Sequence, residues 1–464
     1  MPPIRFIHAA DLHLDAAFSG LSRDIPADFA ERLRTATFTA FRRLLDLCER
    51  ESPDFLLLAG DVYNQEDASV SAQLALRDGF RRLESLSIPV FLVHGNHDPL
   101  ASRLRSVRWP GNVTVFGELP DAVPVFRKGE GTPLAIIHGA SHASGRETRN
   151  LAALFRRTEA CGLHVGLLHA TPGDADGVSR YAPFSQGDLK ASGMDYWALG
   201  HIHDRREVCR EPLAAYPGCT QGLHINEPGE KGCLLVTAEA RTDGGYAVRT
   251  SFRPLGPAVW KTLDMDLGGA ASLDELENRL RTGLDRAAAE VWSGCEMLLV
   301  RLRLQGRTEL DGLLRKGTTC AELADRLRED GSGVPRIWIK DIDVATRPCV
   351  ERGALLERED LLGEVFRLSD AVLQGNYDGA ARILGDLLKM QTEPIMILAA
   401  LGSQLRRIYT ARMAIDSGKD KYWLMELWEM KSDYPAKLLL SAAKKTTAAW
   451  CAAAVQMCQV LDRR

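Results

Sequence analysis

The stretch YWALGHIHD, residues 196–204, places two histidines directly behind an apolar run. The run from Tyr196 to Leu199 predicts the end of a buried strand, and Gly200 allows the backbone to turn tightly after it. If the backbone stays extended, His201 and His203 point to the same side, because side chains two residues apart share a face. The pair either shares a metal centre or caps a strand at the surface, and the rest of the chain must decide.

Apolar strand-like runs alternate with helical patterns over about the first 210 residues. The apolar runs are IRFIHAA, DFLLLAG, IPVFLVHG, PLAIIHGA, HVGLLHA and YWALGHI, and helical patterns cover 27–50, 69–86, 148–159 and 184–192. This alternation predicts a layered α/β domain with buried strands. Between 206 and 266 only short strands are predicted, and we expect them to form a second, more antiparallel sheet of the same domain.

Polar residues follow five of these predicted strands. In chain order the motifs are ADLHLD with Asp11 and His13, AGDVYN with Asp61, HGNHDP with Asn96, His97 and Asp98, GLLHAT with His169, and GHIHD with His201 and His203. Residues just beyond the carboxyl ends of strands in an open α/β sheet converge on one crevice. Each motif alone is no more than a polar turn, but their common placement predicts one site.

The side chains of this site suit a pair of divalent transition metals, because they combine carboxylate and amide oxygens with imidazole nitrogens. Four histidines argue against magnesium, which prefers oxygen ligands and retained waters. A carboxylate is the natural bridge between ions about 3.5–4 Å apart, which assigns Asp61 the shared position. His97 would then face the substrate as general acid, with Asp98 available to orient it. The other histidines are expected to be packing or surface residues, with His138 and His142 able to line the cleft: His8, His94, His138, His142, His164 and His224.

Length and composition limit the class of protein. With 464 residues, 45% hydrophobic and 26% charged, the chain has an ordinary globular composition and room for roughly three domains. The N-terminal stretch has no uninterrupted apolar region and no window approaches a membrane span, so we expect a cytoplasmic protein without a membrane partner. Ten cysteines without a CxxC pair favour reduced thiols. A net charge of −4 neither favours nor excludes nucleic acid.

The remaining sequence divides into a small α+β module and a helical tail. Helix, strand, helix and strand patterns follow one another from about 270 to 346, and after about 355 only helical periodicity remains. From residue 366 the tail has 14 Lys and Arg against 10 Asp and Glu, which permits a nucleic-acid or protein contact. We therefore expect three domains, 1–265, 266–350 and 356–464.

The order DxH, GDxx(D/N), GNHD, H and GHxH, from Asp11 to His203, resembles the calcineurin-like metallophosphoesterases. The later segment YPGCTQGLHINEPGEKGCLLV, residues 216–236, is similar to DNA-repair exonucleases of the SbcD type, and most closely to their YhaO-like branch. Cys219 stands where many relatives have Ser or Asn. Asn64 replaces a carboxylate or histidine, which leaves a secondary contact in doubt. The resemblance implies a four-layer α/β/β/α sandwich with a small α+β capping domain and, in this chain, an all-α C-terminal bundle.

The same resemblance implies a two-manganese DNA exonuclease and endonuclease, which acts in DNA repair through a metal-activated hydroxide. One ion would be held by Asp11, His13, Asp61 and His203, and the other by Asp61, Asn96, His169 and His201. The module resembles a capping domain that selects DNA ends, in which Arg301, Arg303 and Arg307 either reach the DNA backbone or are merely solvated. SbcD-like proteins usually work with an SMC-type coiled-coil ATPase, and this chain has no GxxxxGK[ST] loop of its own. A homodimer is a further expectation.

The tail, from LGEVFRLSDAVLQ at 362 through YPAKLLLSAAKK, is similar to the helical collar domain of the DNA polymerase clamp-loader delta subunit. This similarity implies clamp-loader-like contacts, whereas a helical arm that docks the ATPase partner is the alternative. Three functions therefore stand beside one another: a manganese-dependent nuclease, another phosphoesterase of the same superfamily, and a replication scaffold that acts through the tail.

Overall fold

The computed structural model describes residues 2–21, 25–64, 69–101, 108–127, 129–173, 180–242, 244–329, 333–349, 357, 359, 361–389, 394–428 and 433–462. The chain folds into two compact units, Met1–Pro348 and Cys349–Arg464. Within those residue ranges, no helix is both long enough and apolar enough to cross a bilayer.

The first unit contains a six-stranded sheet in which four parallel strands carry two antiparallel strands at one edge. In chain order its strands are β1 (Ile4–Ala9), β2 (Phe55–Ala59), β3 (Val90–Val93), β4 (Val113–Val115), β11 (Gly232–Ala240) and β12 (Tyr246–Pro254). Their order across the sheet is β12-β11-β1-β2-β3-β4. Asp11, Asp61 and Asn96 therefore follow strands that are neighbours in this sheet.

A second six-stranded sheet packs on the first, and its four central strands are also parallel. Its strands are β5 (Asp121–Val125), β6 (Ala135–Ala140), β7 (Leu163–His169), β8 (Tyr196–Gly200), β9 (Arg206–Arg210) and β10 (Leu213–Tyr216). Across the sheet they follow the order β5-β6-β7-β8-β10-β9. The strands that lead to the remaining predicted ligands, β7 and β8, are again neighbours.

Alternation of side chains along the strands builds the layers. Phe6 of β1 lies in the core between the sheets with Val165 of β7, whereas the next residue, Ile7, faces the helices on the other side. Those helices are α2 (Ala36–Glu51) and α3 (Val70–Ser85), which follow α1 (Ala27–Arg34) in the chain, and α4 (Gln186–Ala191) lies on the outer face of the second sheet. Each fully buried side chain of this kind stabilises the fold by about 1.5–3 kcal/mol. The predicted α/β/β/α sandwich is confirmed.

Two local predictions are wrong. Residues 206–266 do not form a sheet of their own, because β9 and β10 extend the second sheet and β11 pairs with β1 of the first. The run from Cys233 to Val236 is buried throughout, so it requires a position covered on both faces. The helix predicted over 148–159 is only a 3-10 turn, Ala152–Leu154, because Phe155 ends it by packing into the core and Arg157 then bonds to the carbonyl of Ser192.

The α+β module forms a third, parallel sheet of β13 (Ala258–Asp266), β14 (Met297–Gln305) and β16 (Arg336–Val344). Its other elements are α5 (Leu273–Glu290), the two-residue strands β15 (Arg307–Thr308) and β17 (Arg347–Pro348), α6 (Asp311–Leu314) and α7 (Gly317–Glu329). Phe29 of α1 packs with Trp260 and Trp338 of this sheet. The three-domain division stays a prediction, and its first boundary falls at the last residue but one of β13.

The second unit is helical wherever the structure assigns regular secondary structure, as predicted. Its helices are α8 (Leu361–Gln374), α9 (Tyr377–Lys389), α10 (Pro394–Asp416), α11 (Lys421–Leu427), α12 (Asp433–Lys444) and α13 (Ala448–Asp462). Ile408 of α10, Leu424 of α11 and Leu439 of α12 share one apolar core. Leu368 of α8 and Leu387 of α9 belong to a second core.

Candidate metal centre

The predicted site residues come together where the two sheets present the carboxyl ends of their parallel strands. Asp11 and His13 follow β1, Asp61 follows β2, and Asn96 follows β3. The second sheet contributes His169, the last residue of β7, and His201 and His203 just after β8. The site is thus built by both sheets, which explains why its ligands are spread over nearly 200 residues of sequence.

One group of potential ligands consists of Asp11, His13 and His203, with ligand atoms all within 4.8 Å of one another. The Nε2 atoms of His13 and His203 lie 3.1 Å apart. The opposite nitrogen of each ring already donates a hydrogen bond, from His13 to Asn64 Oδ1 at 2.6 Å and from His203 to Glu227 Oε1 at 2.6 Å. When both rings are neutral, two nitrogen lone pairs therefore face each other, an arrangement that a cation between them, a proton or a metal ion, would stabilise.

A second group consists of Asp61, His169 and His201, again within 4.8 Å. Asn96 joins it, since its Oδ1 lies 3.0 Å from His169 Nε2 and 3.1 Å from His201 Nδ1. Asp61 Oδ2 lies 3.3 Å from His169 Nε2 and 4.0 Å from His13 Nε2. The Asp61 carboxylate thus lies between the two groups.

The electrostatics of the site favour a bound cation. The carboxylates of Asp11 and Asp61 are each only 1% exposed, and isolated buried carboxylates are costly. Burial lowers the pKa of His169, but the carboxylates of Asp61 and Asp11 outweigh it and raise that pKa to about 9. The negative charge that favours a proton on His169 would equally favour a metal ion. With this donor set, the residues fit divalent transition metals.

Four of these residues have a left-handed backbone conformation. The loops therefore hold the ligands in a conformation that residues other than glycine rarely adopt. The φ angles are 51° at Asp11, 41° at His13, 50° at Asp61 and 103° at His201. Such a conformation costs about 1–3 kcal/mol for a residue other than glycine and clusters at functional sites. Hydrogen bonds between the loops maintain it, among them His13 N to Asp61 O at 3.0 Å.

Close approach of the backbone explains two glycines beside the ligands. A Cβ at Gly200 would overlap the carbonyl oxygen of Ala59, and one at Gly95 would overlap the Asp61 carboxylate. Gly200 is not among the glycines with positive φ. The expected tight turn is therefore not the reason for a glycine at position 200. The reason is the close contact between β2 and β8.

A second layer of side chains orients the histidines. His169 Nδ1 donates to the carbonyl of Ala59 at 2.9 Å, and Asn64, the position left in doubt, accepts from His13. Glu227 was not predicted from the sequence. The only signal for it is its position in the segment HINEPGE, three residues after His224. Burial raises the pKa of Glu227, but its hydrogen bond from His203 lowers that pKa to about 2. Cys219 is buried beside them, with its thiol 3.8 Å from the His203 carbonyl oxygen.

His97 and Asp98 occupy different environments. His97 is exposed, its backbone N–H donates to Asp61 Oδ1 at 2.9 Å, and its ring lies 5.3 Å from that of His13. Asp98 is fully buried and accepts from the backbone N–H groups of Asp61, Val62 and Gly95 at 2.7–3.2 Å. Its other neighbour is His94, at 3.3 Å. The expectation that Asp98 orients His97 therefore needs correction: Asp98 fixes the loops that carry Asp61 and Asn96.

The histidines outside the motifs have structural partners. His8 bonds to Tyr196 Oη and to the Leu199 carbonyl, and His138 bonds to His164 at 2.9 Å. His142 lies closest to the site, since its Nε2 is 2.6 Å from the carbonyl oxygen of His169. All four are buried. His224 is half-buried and accepts from the backbone N–H of Asn226.

The arginines predicted in the α+β module are largely neutralised. Arg301 makes a bidentate pair with Asp341, at 2.6 and 2.9 Å, and Arg303 lies 3.3 Å from Asp343. Arg307 is exposed on β15. A DNA phosphate would have to compete with these carboxylates for the guanidinium groups of Arg301 and Arg303.

Comparison with known families divides the chain into three matched segments. Residues 4–205 match the calcineurin-like phosphoesterases, and residues 260–347 match the middle domain of metallophosphoesterase YhaO. Residues 363–464 match the C-terminal domain of the DNA polymerase III delta subunit. The resemblances seen in the sequence are confirmed for all three segments.

Individual proteins are similar to parts of this chain. Metallophosphoesterase YhaO of Bacillus subtilis is 36% identical over 348 residues, 74% of this chain and 82% of that protein. DNA double-strand break repair protein Mre11 of Aeropyrum pernix is 28% identical over 319 residues, 63% of this chain and 69% of that one. The crystal structure of TT1561 from Thermus thermophilus covers 54% of this chain and 99% of its own, at 13% identity and a TM-score of 0.32. Together with the site's geometry, the extent of identity to YhaO means that this chain belongs to the calcineurin-like metallophosphoesterases of the YhaO branch.

Proposed function

We propose that this chain is a DNA exonuclease and endonuclease that hydrolyses phosphodiester bonds with two divalent cations, preferably manganese, and acts in DNA repair. The observation that supports this most is the position of Asp61 between two histidine-containing ligand groups, with exposed His97 beside it. Asp11, His13, Asp61 and His203 would hold one ion, and Asp61, Asn96, His169 and His201 the other. The relation to Mre11, a protein named for DNA double-strand break repair, supports DNA as substrate.

The chain's own residues would divide the work between binding, orientation and proton transfer. Two divalent ions bound there would supply Lewis-acid activation of the phosphate and of the attacking water. Asn64, the Ala59 carbonyl and Glu227 would keep the histidine rings turned so that the other nitrogen faces the ions. His97, exposed at the mouth of the site, would contact the phosphate and protonate the leaving oxygen.

His97→Ala is expected to lower kcat for DNA hydrolysis by about 10²-fold, because a positioned general acid contributes at least that much. Metal affinity, measured by calorimetry with manganese chloride, should stay close to that of the wild type, since the ring is not proposed as a ligand. His224→Ala, at a half-buried histidine outside the site, is the matched control and should retain wild-type kcat. Loss of manganese binding in His97→Ala would contradict the role of His97 as a general acid that does not hold metal.

Glu227→Gln is expected to weaken manganese binding by about 10-fold or more, because outer-shell partners of ligating histidines typically contribute that much affinity. The amide keeps the shape but removes the charge that orients His203 through the 2.6 Å hydrogen bond. Calorimetric titration measures the effect, with exposed Glu239→Gln as control. Equal affinity in the two variants would show that His203 needs no carboxylate partner.

The function itself is tested by release of label from duplex and single-stranded DNA with manganese, magnesium or chelator. We expect cleavage with manganese and none with chelator. Hydrolysis of bis(p-nitrophenyl) phosphate without any cleavage of DNA would instead indicate a phosphoesterase for other esters. Inactivity on both substrates would favour the scaffold function.

Partner proteins belong to the same proposal. An SMC-type coiled-coil ATPase and a homodimer are proposed from the SbcD resemblance, and clamp-loader-like protein contacts from the match of residues 363–464. Deletion of the residues after 360 should leave metal-dependent hydrolysis intact and abolish any collar-like oligomer, which size-exclusion chromatography with light scattering would detect. Loss of hydrolysis would make the helical unit part of the nuclease.

A further inference from the structure

Two arginines directly follow the ligand His203 and lie at the edge of the sandwich. Arg205 precedes β9 and Arg206 is its first residue, and both side chains are exposed. In the described part of the chain neither guanidinium has a hydrogen-bond or ion-pair partner. Arg301 and Arg303, in contrast, are paired with carboxylates. Arg205 and Arg206 therefore carry charge that is available to an anion within a few residues of the candidate metal centre.

Each guanidinium group lies over an aromatic ring. The Cζ atom of Arg205 lies 4.0 Å from the centroid of the Phe252 ring, and that of Arg206 lies 5.6 Å from the centroid of Tyr216. A guanidinium that lies over a ring, as Arg205 does at 4.0 Å, keeps its N–H edges free for bidentate contact with phosphate oxygens. Both charges thus lie beside aromatic rings rather than beside carboxylates.

Two clefts meet at Arg206. One, of about 290 Å³, opens between the edges of the two sheets and is lined by Arg205, Arg206, Tyr216 and Phe252. The other, of about 880 Å³, is lined by Pro172 and Gly173, which follow the ligand His169 closely, and by Arg206. Glu207 also lines the smaller cleft, so the charge of the three side chains together is +1. Arg206 thus lines both clefts, and through Pro172 and Gly173 the larger cleft reaches the loop that follows the candidate ligand His169.

We propose that Arg205 and Arg206 bind successive phosphates of a single nucleic-acid strand that passes from the metal centre into the cleft between the sheets. Basic grooves that contain aromatic side chains are the usual binding surface for single strands. This inference rests on the proposed function, since the same strand would supply the scissile phosphate. The inference gives the nucleic-acid strand a direction, out of the metal centre and along β9. The candidate metal ligands alone do not define this direction.

The test is fluorescence anisotropy of a labelled single-stranded oligonucleotide with the full chain in the presence of chelator, so that binding is measured without hydrolysis. Arg205→Ala and Arg206→Ala should each weaken binding by about fivefold, as expected for loss of one phosphate contact. Each should also reduce the slope of log affinity against log salt by about 0.7, the value for one phosphate of a single strand. Arg34→Ala, an exposed arginine paired with Glu31, is the matched control and should change neither quantity.

Thermal unfolding followed by circular dichroism establishes that the variants are folded. A further variant, Arg205→Lys, keeps the positive charge but loses the planar guanidinium group. The lysine variant should bind with intermediate affinity. Affinity and salt slope that equal the wild-type values in both alanine variants would overturn the inference, as would a wild-type chain that binds no single strand. A wild-type chain that binds the strand but cuts no DNA with manganese would refute the proposed nuclease, while the comparison of variants would still decide the role of the arginines.

Discussion

Replacement of Asp61 by asparagine is expected to lower kcat/KM for DNA and for bis(p-nitrophenyl) phosphate by at least about 10³-fold. The reason is the position of one carboxylate between two ligand groups, with Oδ2 3.3 Å from His169 Nε2 and 4.0 Å from His13 Nε2. Asparagine has nearly the same shape, so packing is preserved. It removes the negative charge, however, and presents either an N–H₂ group or a weak amide oxygen to each cation.

Calorimetric titration with manganese separates the two effects of this substitution. We expect the wild-type chain to bind two ions and Asp61→Asn to lose at least one, because a bridging ligand serves both. Asp78→Asn, at an exposed carboxylate on α3 that pairs with Arg77, controls for loss of a charge elsewhere and should titrate like the wild type. Two ions bound at wild-type affinity by Asp61→Asn would exclude a bridging role for this residue.

The positions of the candidate ligands could be predicted from sequence because a simple geometric rule governs them. In parallel strands the carboxyl ends lie at one edge, so residues that follow β1, β2, β3, β7 and β8 converge whatever their separation in the chain. Strongly apolar runs such as DFLLLAG mark these strands clearly. The rule says which side chains meet, and His13 and His203 do meet although 190 residues separate them.

The same rule gives no information about partners outside the strand ends. Glu227 reaches His203 from a loop whose path depends on β11 pairing with β1, and sequence reasoning placed β11 in a different sheet. Asp98 was assigned to His97 because the two are adjacent in sequence. The backbone instead directs its carboxylate inward, toward the N–H groups of Asp61, Val62 and Gly95. Local adjacency is a weak guide where a loop turns within one residue.

Charge was harder to predict than fold. The alternating arginines of β14 suggested DNA contacts, yet the neighbouring strand β16 carries Asp341 and Asp343 at matching positions. Cross-strand pairs of opposite charge commonly stabilise an exposed sheet face of this kind. Arg205 and Arg206 attracted no attention in the sequence, because only the folded chain brings Phe252 of β12 and Tyr216 of β10 beneath them.

Gly200→Ala is expected to lower the free energy of unfolding of the first unit by about 3 kcal/mol or more, the upper range for overpacking in a core. A single Cβ at this position would overlap the Ala59 carbonyl oxygen, which belongs to backbone and cannot rotate away. Strands β2 and β8 would have to separate, and the residues that follow them, Asp61 and His201, would move apart. Manganese affinity and hydrolysis should therefore fall together with stability.

Chemical denaturation followed by tryptophan fluorescence measures the stability of Gly200→Ala, and calorimetry its manganese affinity. Gly131→Ala is the matched control, because a Cβ there meets no atom within 4 Å and its φ is not positive. It should unfold and bind metal like the wild type. Because Ala59 also accepts the hydrogen bond from His169 Nδ1, displacement of its carbonyl would disturb the orientation of that ring as well. A Gly200→Ala chain that retains wild-type stability but loses metal would mean that the strands can separate without cost, and that this glycine serves the ligands rather than the core.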